Sequence, residues 1–355
     1  QNPVDLDRLL IVTFTKAAAS EMKQRIGIAL EKALQQNPRS QSLHRQLLLL
    51  NRATITTVHS FCLDVIRRYY YLKELDPSFR VLDEAAAELL RQEILEETLD
   101  EYYDSQQPGS SFYRLVEAYS SDRGDQALQS LILRLYSFAR SHPFPSQWLQ
   151  QQQEAFRSGV SLCAAKNPWL EIILDECRIG LQMIVEFIEE GIRIAHAPGG
   201  PAPYLETLRE ELEVLREMRD ASHRSWDELF VLMQQNPFGR LKPCRGDAYD
   251  ADLRERVSQI RERAKGDFYK LRSSYFSCSL QERLAELKRL EPLIASLVEL
   301  VEVFSRRYME AKKEKGVADF SDLEHFALQI LNCSESPPGT LSPSQAALEY
   351  RNFFT

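Results

Sequence analysis

The sequence predicts a mainly α protein. A short α/β segment at residues 1–82 is interrupted by an all-helical block at 83–315 and resumes at 316–355. Three observations predict this. Two short apolar, β-branched runs, at 9–14 and 55–58, are each followed by a helical pattern. From residue 83 onward almost every segment carries apolar residues at helical spacing. Thirteen Gly and sixteen Pro in 355 residues are too few for the turns that an all-β chain needs.

Taken in order, Leu9-Leu10-Ile11-Val12-Thr13-Phe14 reads as a strand buried on both faces, as in a parallel sheet. Thr15 can cap the helix that follows, in which Ala17-Ala18-Ala19, Met22, Ile26, Leu30 and Leu34 keep the 3.6-residue period as far as Asn37-Pro38. A second helix covers about 41–50. Ile55-Thr56-Thr57-Val58 is a second strand, with a helix from about Ser60 to Leu72. The helical block divides at Pro108-Gly109, at the prolines 143 and 145, at 197–201 and at Asn236-Pro237. Its helices are expected at 84–104, 111–120, 125–140, 145–157, 168–196, 203–221, 225–234, 250–275 and 280–315. Ser279 and Glu282 form a capping box that opens the last of them. Asp319-Phe320-Ser321-Asp322-Leu323 opens a helix to about Asn332. Ser342 with Gln345, and Pro343 at the first helical position, predict a final helix over 343–354. Two strands make too small a sheet to stand alone, so the α/β part is expected to need further sequence, and the chain reads as a piece of a longer protein.

Composition narrows the function classes. A length of 355 at about 150 residues per domain suggests two to three domains. Apolar residues at 44% and charged residues at 27% are those of a globular protein. No run approaches the ~18–20 apolar residues of a membrane span, and no secretory leader is visible, so a cytoplasmic address is expected. The six cysteines (62, 163, 177, 244, 278 and 333) are never within four residues of one another, and the six histidines are dispersed. Reduced, buried thiols and no metal nest are therefore expected. The net charge of −8 is unevenly spread: residues 1–82 carry 12 Lys/Arg against 7 Asp/Glu, the remainder 32 against 45. A basic front on an acidic body suits an anionic partner such as a phosphate backbone.

Two strand–helix junctions could carry chemistry. At Thr13-Phe14-Thr15-Lys16 a strand delivers hydroxyls, an aromatic and a lysine to a helix N-terminus, where the dipole favours phosphate and Phe14 could stack on a base. A plain turn with a threonine cap would read the same way. At Thr57-Val58-His59-Ser60-Phe61 the arrangement repeats with an imidazole. His59 could meet phosphate or sugar, or be a core histidine with a satisfied hydrogen bond. Phe79-Arg80-Val81-Leu82-Asp83-Glu84 imitates a nucleotide-site strand ending in Asp-Glu, but Arg80 interrupts it and Asp83 is better placed as the N-cap of the next helix. There is no GxxxxGK(S/T), so a phosphate-cradling P-loop is absent from this sequence.

These residues carry a resemblance. Residues 10–26, from Leu10-Ile11-Val12-Thr13-Phe14-Thr15-Lys16 through Glu21-Met22 to Arg25-Ile26, resemble motif Ia of the UvrD/Rep superfamily 1A helicases, usually TFTNxAAxEMxxRI, with Lys16 where Asn is common. Thr56-Thr57-Val58-His59-Ser60-Phe61-Cys62 resembles motif Ib, and Asp319-Phe320-Ser321-Asp322-Leu323 the DFxDL element that precedes a DEYQD Walker B strand. Within the family, stretches 50–53, 61–70 and 131–143 are most similar to the AddA branch, the helicase–nuclease subunits of AddAB (RexAB) complexes. The resemblance implies a partial RecA-like domain 1A at 1–82, a helical insertion domain 1B at 83–315 and a return to 1A at 316–355, between the two Walker motifs. It implies single-stranded DNA contacts at Thr13, Phe14, Thr15, Lys16, Thr57, His59, Ser60 and Phe61. ATP and Mg²⁺ are implied for the longer protein and neither for this segment. The implied partners are single-stranded and duplex DNA and an AddB-like partner subunit. The implied activity is ATP-dependent unwinding of DNA ends for recombinational repair. A RecB- or PcrA-like helicase segment, or a non-enzymatic helical module that docks a partner, are the alternatives.

Overall fold

The computed structural model describes residues 4–354 apart from 73–77, 120–123, 162–167, 245–248, 334 and 338. Among them the chain forms fourteen α-helices and four short strands, so the mainly α class holds. It divides into two compact units, one of residues 1–151 with 296–355 and one of residues 152–295.

The first unit begins with a βαβ arrangement. β1 (Leu10–Thr13) pairs in parallel with β2 (Thr54–Thr57), Leu10 opposite Thr54 and Thr13 opposite Thr57. Between them lie α1 (Lys16–Gln36) and α2 (Gln41–Leu49). Burial of β1 on both faces is not observed: Val12 is 45% exposed, because this sheet has two strands and one face of β1 lacks a cover. Thr15, Ser40 and Thr57 each cap the following helix through the side-chain oxygen, Thr57 opening α3 (Val58–Tyr69).

A second parallel pair has no counterpart in the sequence pattern. β3 (Arg80–Val81) lies beside β4 (Val317–Ala318), with Arg80 N donating to Gly316 O at 3.0 Å and Leu82 N to Ala318 O at 2.9 Å. The arginine that interrupts the apolar pattern sits on an exposed pair, where it costs no burial. Asp83 is the N-cap of α4 (Glu84–Ser105), accepting from Ala86 N, so the nucleotide-site imitation is a helix start. α5 (Ser111–Tyr119), α6 (Gln126–Arg140) and the start of α7 (Pro145–Ser161) complete this part.

From Ser296 the long helix α12 (Leu280–Glu314) belongs to the first unit. Its Phe304 and Tyr308 stack at 5.8 Å, and Tyr136 of α6 meets both edge-on. Tyr308 also donates to Ala87 O of α4 at 3.4 Å. These aromatics tie α4, α6 and the end of α12 to the first unit. The compact units therefore part within α7 and α12, whereas the sequence pattern changes at 82 and 315. Gly316, at φ +61°, ends α12 in the left-handed region that glycine adopts without strain. α13 (Phe320–Leu331) then packs Leu323, Ala327 and Ile330 against Val65, Ile66 and Tyr69 of α3. The last helix, α14, spans Gln345–Phe353. Its N-cap is Ser344, bonded to Ala347 N, so it begins two residues later than the Pro343 pattern predicts: Pro343 instead bridges to Asn332.

The second unit is built on α8 (Pro168–His196), α9 (Leu205–Ala221), α10 (Trp226–Met233) and α11 (Ala251–Tyr275). Leu181, Ile188, Leu208, Leu215, Val257 and Phe268 form its dry centre. One ion pair is buried there. Arg261 Nε lies 3.1 and 3.0 Å from the two Glu211 carboxylate oxygens, and Gly239 N donates to the same carboxylate at 2.9 Å. The fork and the backbone donor together satisfy a carboxylate that could not stand alone in an apolar core. The Ser279–Glu282 box opens α12 as predicted.

Candidate nucleic-acid interface

The two strand–helix junctions come together. Because β1 and β2 run parallel in register, their carboxyl ends deliver α1 and α3 to the same edge of the sheet. Ligands bind there in open parallel sheets, since both helix N-termini and the loops meet at that edge. A cavity of about 490 Å³ opens at this edge, lined by Phe14 and Lys16 from the first junction and by Thr57, His59 and Ser60 from the second. Leu63 and Leu323 add apolar wall, and Val81, Leu82, Asp83 and Phe320 close the remainder.

Phe14 is 94% exposed. An apolar ring held in water by a strand end is out of place as packing and well placed as a stacking surface. Lys16, at the first position of α1, is exposed beside it. Thr57 Oγ1 donates to Ser60 Oγ at 2.8 Å and accepts from Ser60 N at 3.2 Å, so the cap also orients the serine hydroxyl. His59 is half-buried: its Nε2 lies 3.1 Å from Glu324 Oε1, and its ring is tilted 5.1 Å from Phe320. The imidazole is thus held by a carboxylate and an aromatic ring from α13.

Three of the eight expected contact residues lie outside the cavity lining. Thr13 Oγ1 faces Thr15 O at 3.0 Å and Thr56 O at 3.4 Å, tying the two strand ends together. Thr15 is the α1 cap, bonded to Ala18 N. Phe61 packs edge-on against Tyr350 at 5.5 Å. Conversely, the cavity includes Phe320 and Asp83, and His59 depends on Glu324. Nothing in the sequence pairs residue 59 with residue 324. Phe320 shares a helix face with Leu323 and Ala327, which predicts burial, but at its level α3 presents His59 rather than an aliphatic side chain.

Beneath the cavity the start of α13 is locked by buried charges. Asp319 and Asp322 form a reciprocal capping box, each carboxylate accepting the other's backbone N–H at 2.9 Å. Lys312 Nζ, with its side chain 1% exposed, lies 3.1 Å from Asp319 and 2.5 Å from Asp322. Arg140 adds 3.0 Å contacts to Asp322 and Ser321, and Tyr308 donates to Asp319 at 3.1 Å. Burial pushes the Asp319 carboxyl up, and the Lys312 ammonium more than reverses this, holding it below the usual carboxylate range. Burial of the more enclosed Asp322 wins over its cations, so protonation of the pair begins there. His325 Nε2 lies 2.9 Å from Arg140 O, and burial, with the Arg140 charge, lowers its pKa.

A second cavity, of about 520 Å³, is lined by Arg140, Gln147, Asn332 and Thr340 among others. Arg140 is already engaged by Asp322, and Asn332 by Thr340 and Ser342, so it offers less to a phosphate than the first. Among the described residues no group of three or more His, Cys, Asp or Glu is placed to hold a metal ion, and no helix is long and apolar enough to cross a membrane.

The model of the UvrD/REP helicase N-terminal domain matches residues 1–349. The chain belongs to the UvrD/REP helicase family. Its relatives include an ATP-dependent helicase/nuclease subunit of Geobacillus thermodenitrificans, 44% identical over 354 residues, and one of Bacillus licheniformis, 43% identical over 357. The protein of the same name from Bacillus cereus strain B4264 is 42% identical over 355 residues. Each match takes in 100% of this chain and 28% of the relative, so the chain spans about 28% of the length of these relatives. The UvrD/REP match therefore takes in both junctions, the cavity and the Asp319–Leu323 element.

Proposed function

We propose that this chain supplies part of the single-stranded DNA track of an ATP-dependent helicase–nuclease of the UvrD/REP family. Residues 1–82 and 316–355 are parts of its RecA-like domain 1A and residues 83–315 its inserted domain 1B. The observation that carries the proposal is the cavity that gathers Phe14, Lys16, Thr57, His59 and Ser60 from two junctions more than forty residues apart. An exposed ring for a base, an ammonium for a phosphate and two helix N-termini at one edge are what an unpaired, anionic strand needs. Thr13, Thr15 and Phe61 serve this track by holding its backbone. The names of the relatives extend the reading: the whole protein couples ATP hydrolysis to unwinding of DNA ends for recombinational repair, carries a nuclease activity, and works with an AddB-like partner protein. ATP with Mg²⁺ does not fit the residues of this chain by themselves. The sequence has no P-loop, and the described residues offer no metal cluster.

The test is fluorescence anisotropy of a labelled single-stranded oligonucleotide across a salt series. The wild-type chain is expected to bind with a salt-dependent affinity. Phe14→Ala/Lys16→Ala is expected to weaken binding and flatten the salt slope by about one phosphate contact, with circular dichroism unchanged. A folded wild-type chain that ignores DNA at low salt would rule the track out. It would favour the second reading, a partner-docking module, to which the exposed Ile172, Ile179 and Met183 of α8 point.

A further inference from the structure

Phe320 lies in the same cavity as Phe14, and nothing in motif Ia or Ib assigns it a role. It is the first residue of α13, and its ring is 43% exposed. A single exposed phenylalanine needs no explanation. This one differs in two respects. Its backbone is held on both sides, by the Asp319–Asp322 box and by the Lys312 and Arg140 contacts beneath it, so the ring is presented from a rigid base. It also shares the cavity with a second exposed ring, Phe14, and with the imidazole of His59.

The charges say what kind of group can enter. Lys16 is the lysine of the lining, and Asp83 is its carboxylate. Asp83 accepts from Ala86 N at 2.8 Å as a helix cap, so it is fixed in place. A carboxylate on the wall repels a phosphate and tolerates an uncharged group that can donate to it. The volume of about 490 Å³ lies within the roughly 300–1,000 Å³ of small-molecule pockets, ample for one planar base. We propose that Phe320 is a base-stacking residue: the cavity takes a nucleobase of the unpaired strand against Phe320 and Phe14, while Lys16 meets a flanking phosphate. This rests on the reading of the cavity as part of a single-stranded DNA track.

The test compares two labelled strands of equal length on the full 355-residue chain at one low salt concentration. One is oligo-dT; the other carries the same sugar–phosphate backbone with abasic sites throughout. The wild-type chain is expected to prefer oligo-dT. Phe320→Leu, which keeps apolar bulk, is expected to weaken oligo-dT binding roughly fivefold to a hundredfold, the range of a lost base–aromatic stack, and to leave the abasic strand unchanged. Phe320→Trp is expected to retain the preference. Equal weakening of both strands by Phe320→Leu would show a packing role and overturn the proposal, as would no effect on either. Failure of the wild-type chain to bind both strands would instead remove the single-strand reading itself. A urea transition at the wild-type midpoint would show that the variants are folded.

Discussion

Lys312 is the side chain on which the start of α13 most depends. It is buried against two carboxylates, and nothing else replaces its contact to Asp319 except the Tyr308 hydroxyl. Removing one partner of a buried pair strands the other. Lys312→Met is therefore expected to cost about 3–5 kcal/mol of stability in urea denaturation. Lys312→Met/Asp319→Asn should recover part of it, because Asp322 keeps Arg140 and asparagine still caps. His325 sets a pH dependence of its own. Its folded pKa lies below the ordinary value near 6.5, so the unfolded chain takes up a proton before the folded one does. Its stabilising contribution is full above about 6.5 and is lost as pH falls from there through the lowered folded value. His325→Gln, which can still donate to Arg140 O, should flatten the stability profile across that window. Burial pushes the Cys62 thiol up to about 11 and the Cys177 thiol up to about 12, which agrees with the inert cysteines expected from their spacing. Individual roles are legible in the sequence where a residue acts on its own neighbours, as in the caps at Thr15, Thr57 and Asp83. The partners of His59, Lys312 and Arg140 are not, since each comes from another element.

At the scale of elements, helix starts are legible because a cap is a local bond. Thr57→Ala removes both the α3 cap and the hold on Ser60. It should cost about 1 kcal/mol by thermal denaturation and weaken DNA binding beyond that of an exposed Ser→Ala. The break after α8 depends on close approach. A Cβ on Gly200 would press directly on Ile194 O and stand 2.8 Å from Ala195 O, both backbone. Gly200→Ala should therefore destabilise the second unit by about 1–3 kcal/mol, the usual cost of overpacking, read by urea denaturation. The pair β3–β4 escapes the sequence because two residues carry no periodicity, and Arg80 argues against a strand. The late start of α14 has a similar cause. Pro343 fits a first helical position by type, but the bridge to Asn332, which also accepts from Ser342 N, holds the chain extended until Ser344.

For the molecule as a whole, the two units differ in how their cores are written along the chain. The core of the second unit comes from residues 170–276, one continuous stretch. The first unit joins residues near the front of the chain to residues after 296. A piece limited to the second unit is expected to keep its helical circular dichroism and a cooperative urea transition, whereas residues 1–151 alone should not, lacking α13 to cover α3. A non-cooperative transition in the first piece would show that its core needs more than α8 to α11. The full chain, without a P-loop, is expected to show no DNA-stimulated ATP hydrolysis. A phosphate-release assay on protein freed of contaminating ATPase checks this, and activity that follows the purified chain would contradict the proposed division of labour with the rest of a helicase.

The sequence by itself determined the class of fold, the order and limits of nearly every helix, the two strand–helix junctions and the family. These follow from periodicity, caps and contiguous motifs, whose physics acts over one or two turns. The tertiary structure alone decided which of the eight expected contact residues share one cavity, that Phe320 and Asp83 join them, and that His59 is held by Glu324. It also decided that the compact units divide inside helices α7 and α12, where the sequence shows no break. Those facts depend on side chains from distant segments meeting, and burial of a charge or a ring is settled only when the covering element has a place.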